Sequence, residues 1–279
     1  MNRTKLYFGT AGWSYKDWNG IVYPPKVDPL EYLSHYVDTI EINSSFYRIP
    51  YPNFSTTWVR KVSHNPNFKF TAKLNQIFTH ERKYTKQEVT DFIKGFAPML
   101  NANKLGTILI QFPWSFKCTP ENQTYLEKLV ANFTDFVLTI EVRHSSWNNS
   151  HFYNWLIEHQ IGFCNIDQPL FYNSIAPSNI ETTKIGYIRL HGRNYENWFK
   201  QSADQFQRYD YLYSEEELIP WAEKIQELAK KVKELYVIAN NHFKGQALVN
   251  TLQLNSMVTK SNPKIPELLQ KTYPNSLNY

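Results

Sequence analysis

Cysteine is almost missing from this chain of 279 residues, where Cys118 and Cys164 are the only two. Two cysteines cannot make the disulfide framework of a small secreted scaffold, and Cys164, inside an apolar run, reads as a small buried hydrophobe. No apolar run approaches the ~20 residues that a bilayer-spanning helix needs. Residues 1–10 lack the apolar stretch of a signal peptide. These absences predict a cytoplasmic protein with no membrane partner. With only 9 glycines and 15 prolines, the chain also shows no internal repeat, low-complexity stretch or domain linker, which predicts a single domain over 1–279.

Aromatic residues, by contrast, are abundant: 8 Trp, 19 Tyr and 18 Phe make up 16% of the chain. A core cannot absorb so many Tyr and Trp without partners for their polar tips, so some are expected to line a groove or rim. Hydrophobic residues at 42% and charged residues at 20% fit a globular composition. The net charge of +5 and pI of 8.9 favour anionic ligands, but fall short of the basic stripe of a dedicated nucleic-acid-binding domain.

Short β-type runs recur at 6–9, 39–43, 68–73, 106–111, 138–143, 162–167, 186–191 and 235–240, and amphipathic helical patterns follow most of them. That alternation is the signature of a parallel sheet built from βαβ units. Helices are expected near 29–37, 53–64, 86–103, 120–132, 150–159, 215–233 and 245–258, with Ser214 and Glu217 as a capping box. Segment 168–184 has no helical period, so one helix between strands six and seven is missing or degraded. Eight strands fit a closed barrel, although an open doubly wound sheet could hold the same number. The proline-bearing tail, 259–279, is expected to pack on the barrel as an irregular end.

Side chains alternate between the two faces of a strand. Strand five sets Leu138, Ile140 and Val142 against Thr139, Glu141 and Arg143, and strand two sets Ile40 and Ile42 against Thr39, Glu41 and Asn43. In strand six Cys164 and Ile166 oppose Asn165 and Asp167; in strand seven Ile188 and Leu190 oppose Arg189 and His191. Strands three and four end on Lys73 and Gln111. The simplest geometry packs every apolar face on helices and points every polar face into the barrel, with polarity gathered at the C-terminal strand ends, where barrel enzymes carry their active sites. Buried charges cost several kcal/mol each unless paired, so packing alone is a poor reason to bury so many.

The loops after strands seven and eight, through His191, Gly192 and Arg193 and from Asn240 through His242, Lys244 and Gly245, suit an anion. Barrels often hold phosphate with these two loops and a helix N-terminus. Two longer loops are expected at the same end. One, over 10–25, carries Trp13 and Tyr15; the other, over 194–213, carries Tyr195, Trp198, Phe199, Tyr209, Tyr211 and Tyr213. Their rings could stack on a base or sugar, or pack against the barrel mouth.

Five spaced stretches carry a family resemblance: residues 9–15 (GTAGWSY), 41–47 (EINSSFY), 141–147 (EVRHSSW), 189–193 (RLHGR) and 240–246 (NNHFKGQ). In this order they resemble the YecE-like family, also called domain of unknown function 72, over nearly the whole chain. Ala11 stands where that family often has Ser. The resemblance implies an α/β fold, a single TIM (β/α)8 barrel, similar to the endonuclease IV and xylose isomerase group, and it implies no activity. Those enzymes bind metals through many His, Asp and Glu ligands. Here His144, His191, His242, Glu141 and Asp167 offer such ligands, but Arg143 and Arg189 would repel a cation and no HExxH-type spacing occurs, so no metal or other cofactor is expected.

The residues favour a hydrolase-type enzyme acting on an anionic, phosphate-bearing small molecule or a single-stranded or damaged nucleic acid. Lys73, Arg143, Arg189 and Arg193 would clamp the anion. Glu141 or Asp167 would act as general base and His191 as acid or orienting group. Asn43, Gln111, His144, Asn240, His242, Lys244, Trp13 and Tyr15 would contribute binding contacts. Two other readings remain open: a glycoside hydrolase using Glu41 and Glu141 as its carboxylate pair, and a non-catalytic module for nucleic acid or a metabolite.

Overall fold

The computed structural model describes residues 4–196, 198 and 207–278. Eight parallel strands close in sequence order, with β8 pairing back onto β1. They are β1 (Lys5–Ala11), β2 (Thr39–Ile42), β3 (Lys69–Lys73), β4 (Leu105–Gln111), β5 (Leu138–Glu141), β6 (Gly162–Asp167), β7 (Ile185–Leu190) and β8 (Glu234–Ala239). The protein is therefore a TIM barrel, as the alternating strand and helix patterns predict. Close approach of β1 to β2 depends on Gly9, because a Cβ there would fall on the backbone carbonyl of Thr39.

The helices are α1 (Pro29–Leu33), α2 (Ser44–Tyr47), α3 (Pro52–Lys61), α4 (Lys86–Asn101), α5 (Pro120–Val130), α6 (Ser150–Glu158), α7 (Glu215–Ala229), α8 (Gln246–Thr259) and α9 (Glu267–Thr272). Their starts carry local chemistry that satisfies otherwise unpaired N–H groups. The expected box caps α7: Ser214 N donates to Glu217 Oε2 at 3.0 Å, and Glu217 N to Ser214 Oγ at 3.4 Å. Thr85 and Glu88 make a second box at α4, and Thr119 and Asn149 cap α5 and α6. Apolar faces of these helices cover the outer faces of the strands, where Ile188, Leu190, Leu218, Trp221 and Ile225 share one buried cluster. The tail is less irregular than expected. Its Leu269, in α9, and Leu277 are buried in the main core.

Segment 168–184 contains no helix: Gln168 and Ser174 line the mouth, 173–175 pairs with the chain after β5, and 178–180 lies against the outside of β6. Asn165 holds it there: Nδ2 donates to Ile180 O at 2.8 Å, and Oδ1 accepts from Ser178 Oγ at 2.7 Å and Ile180 N at 2.8 Å. This arrangement reverses the expected faces of β6. Residues paired across a parallel ladder lie on the same side of the sheet, and Cys164 pairs with Tyr187, Ile166 with Arg189 and Asp167 with Leu190. Cys164 and Ile166 thus point inward, while Asn165 and Asp167 point outward. The physical reason is the missing helix: an extended segment presents backbone N–H and C=O groups that need partners, so the strand face covering it is polar.

Candidate functional site

The barrel interior narrows to a charged cluster built by strand register. Arg189 of β7 is 1% exposed and reaches both carboxylates, Nη2 lying 2.7 Å from Glu41 Oε1 and Nη1 2.5 Å from Glu141 Oε2. Arg143 approaches the other oxygen of Glu141 with Nε at 3.0 Å and Nη2 at 2.9 Å. His191 Nε2 stands 3.2 Å from that same oxygen. Tyr187 donates to Glu41 Oε2 at 2.8 Å and accepts from Thr71 Oγ1 at 2.7 Å. Gln111 Oε1 lies 3.3 Å from Arg189 Nη1.

The protonation states follow from these neighbours. Burial opposes the charge on Glu141, yet Arg189, His191 and Arg143 together hold its carboxyl well below the usual carboxylate range. Asn240 Nδ2 lies 3.0 Å from His191 Nδ1. With the amide donating, the ring proton sits on Nε2, facing Glu141. Burial, reinforced by Arg143 and Arg189, lowers His191 to about 3, so the imidazole is neutral at physiological pH. Lys73, at the end of β3, is lowered to about 7 by burial and then by Arg189. Its Nζ lies 4.1 Å from the Phe46 ring centre and makes no ion pair among the described residues.

Above the cluster the mouth opens into two adjoining compartments. The larger, about 510 Å3, is walled by Tyr15, Asn43, Tyr47, Lys73, Asn240 and His242, among others. The smaller, about 190 Å3, is walled by His80, Gln111, Trp114, Arg143, Gln168 and Trp198, among others. Arg208 and Tyr209 line both. Tyr15 stacks on His242 at 4.3 Å and 9°. Trp18, fully buried beneath the loop after β1, ties that loop to the loop after β8 by donating to His242 O at 2.6 Å.

Comparison with known proteins fits this architecture. The family model described as "Protein of unknown function DUF72" matches residues 7–275. The chain belongs to the DUF72 family. It is 30% identical over 271 residues to the UPF0759 protein YunF of Bacillus subtilis, a match covering 89% of this chain and 93% of that protein. It is also similar to solved structures of two DUF72 family proteins. The one from Thermotoga maritima is 38% identical with a TM-score of 0.81, over 91% of this chain and 99% of the other. The one from Enterococcus faecalis is 27% identical with a TM-score of 0.82, over 93% and 98%.

In this DUF72 barrel, Glu41, Glu141, Arg143, Arg189, His191, Gln111 and Asn240 meet at the inner end of the mouth, and Lys73, Asn43, Tyr15 and His242 line the larger compartment. Other expected residues lie elsewhere. Asp167 faces outward and pairs with Arg193, whose Nε lies 3.0 Å from Oδ2 and whose Nη1 reaches Glu217 at 3.2 Å. Neither residue reaches the central cluster, which removes Asp167 as its base and Arg193 as its clamp. Arg189 is committed to two carboxylates and lines neither compartment, so it is a structural counter-ion rather than an anion clamp. Lys244 is exposed, with Nζ 5.2 Å from its neighbour Phe243's ring centre. Trp13 packs edge-on against Trp58 at 5.5 Å, outside both compartments. His144 bonds to Ser146 through Nδ1 and touches Trp114 edge-on at 5.1 Å.

The expected phosphate loops are also engaged internally. Gly192 N donates to Tyr213 Oη at 2.9 Å, and Gly245 N to His242 O at 3.3 Å. Gly245 has φ +85 and leaves no room for a Cβ, which would sit 2.9 Å from Val22 Cγ2. Its role is to turn the chain into α8. Phe199 of the aromatic loop falls outside the described residues. Several lining residues escaped notice in the sequence. Tyr187, in the buried cluster beneath them, was legible in the alternation that selects Arg189 and His191. His80, in the single wide turn Ile77–Glu81, and Gln168, in a segment without period, carry no such signal.

Proposed function

We propose that this DUF72 protein is an enzyme acting on an anionic, phosphate-bearing substrate held in the barrel mouth. The observation that carries the reading is the sign of the described walls: Lys73, Arg143 and Arg208 contribute charge to the two compartments, and no carboxylate lines either one. The two carboxylates beneath are balanced by Arg189, which lies between them, and by Arg143 on Glu141, so the buried cluster presents no net negative charge to an anion above it. A cleft lined by charge of one sign concentrates a ligand of the other. The aromatic faces of Tyr15, Tyr47 and Tyr209 suit a ring on that ligand.

The chemistry shifts away from Glu141, whose oxygens are occupied by three cationic or N–H-bearing side chains. Lys73 is the better acid–base group, because a lysine near pH 7 can give or take a proton under working conditions. Glu41 and Glu141 share one arginine and do not flank an open space, which is unlike a glycosidase pair. Thermal shift with ribose 5-phosphate against ribose tests the proposal. Ribose 5-phosphate should raise Tm by several degrees and ribose should not. An equal shift with ribose would overturn it.

A further inference from the structure

The two compartments differ in the polar groups they leave unpartnered. Among the described residues of the larger, the buried side chain left without a partner offers an acceptor, Asn43 Oδ1. In and behind the wall of the smaller, the buried orphans are donors: Trp114 Nε1 and Gln168 Nε2, with His144 Nε2 against Trp114. Ser146 N donates to His144 Nδ1 at 3.1 Å, which leaves the ring proton on Nε2. Each unpaired buried donor costs about 1–3 kcal/mol, and two of them in the wall of one cavity, Trp114 and Gln168, call for an acceptor-rich ligand.

We propose that the smaller compartment is the subsite for a phosphoryl group, with Arg143 as its cation, and that the larger compartment beside Lys73 holds the rest of the substrate. The assignment rests on the phosphate reading of the mouth. A volume of about 190 Å3 has room for a phosphoryl group together with waters around it. Arg143 keeps a side-chain exposure of 16%, so its guanidinium can bond Glu141 on one edge and an oxyanion on another, since it carries five N–H donors in a planar fork. Gln168 is 3% exposed, and its terminal torsion is broad, so a modest rotation turns its N–H groups toward the cavity. In the larger compartment Asn43 Oδ1 would accept from a sugar-type hydroxyl, which a fully ionised phosphoryl group does not offer. Placing the phosphoryl group away from Lys73 also keeps a second anion from raising that amine above about 7.

Calorimetric titration with inorganic phosphate and with ribose 5-phosphate tests the assignment on the whole protein. Gln168→Leu and Trp114→Phe, which keep bulk and remove N–H donors, should each weaken both probes about tenfold. Asn43→Ala should weaken ribose 5-phosphate while leaving inorganic phosphate within twofold. If Gln168→Leu and Trp114→Phe leave inorganic phosphate within twofold and Lys73→Met abolishes it, the anion sits beside Lys73. The subsite is then wrong and the phosphate reading stands. Failure of the wild type to bind either probe overturns both.

Discussion

Replacing Arg189 by Met should destabilise the barrel by about 3–5 kcal/mol, the usual result of removing one partner from a buried ion pair. The structure says where that cost falls. Glu141 loses one contact and keeps Arg143 at 2.9 Å and His191 at 3.2 Å. Glu41 loses its ion pair and keeps the Tyr187 hydroxyl at 2.8 Å, so most of the penalty belongs to a single desolvated charge at Glu41. Removing that charge as well, in the double variant Arg189→Met with Glu41→Gln, should recover at least about 1 kcal/mol, although the double variant has fewer polar interactions. Couplings of this size are measurable between touching residues. Urea unfolding at pH 7, followed by circular dichroism, reads the difference as a shift in midpoint at constant slope. Two results would refute the reasoning: a cost for Arg189→Met below about 1 kcal/mol, or a further loss of stability when Glu41→Gln is added.

Two further predictions concern titration. Lys73, lowered to about 7, should be acylated at pH 7.5 faster than exposed lysines, with a rate midpoint near pH 7; peptide mass spectrometry after limiting acetic anhydride checks this, and uniform labelling contradicts it. Burial holds His191 at about 3 and His242 at about 4, against an ordinary 6.5. As pH falls below 6.5 the unfolded chain takes up these protons before the folded one does, so stability is full above that value and declines toward pH 4. Tm should therefore drop between pH 7 and pH 5, with a shallower drop in His191→Gln, and a flat profile would be inconsistent with neutral buried imidazoles.

Much of the site was legible because barrel strands obey a period of two. Once Glu141 and Arg143 are placed inward, alternation alone brings Glu41, Asn43, Arg189 and His191 with them. The same rule failed on β6. Alternation there points polarity to the interior, whereas Asn165 and Asp167 serve an irregular segment and Arg193 outside the barrel. The rule is sound; the assumption that every outer strand face meets a helix is what broke down. Similarly, Gly192 and Gly245 looked suited to an anion because a sequence cannot show which N–H groups are already bonded.

The sequence by itself determined the eightfold alternation, the helix cap at Ser214, the degraded helix over 168–184 and the concentration of charge at the C-terminal strand ends. These are properties of local pattern, set within a few residues of one another. The tertiary structure decided which charges neutralise each other and which face ligand. Arg189 and Arg143 are alike in sequence as inward arginines near strand ends. One is sealed between two carboxylates and the other reaches a cavity, because parallel register and loop packing set how deep each side chain lies.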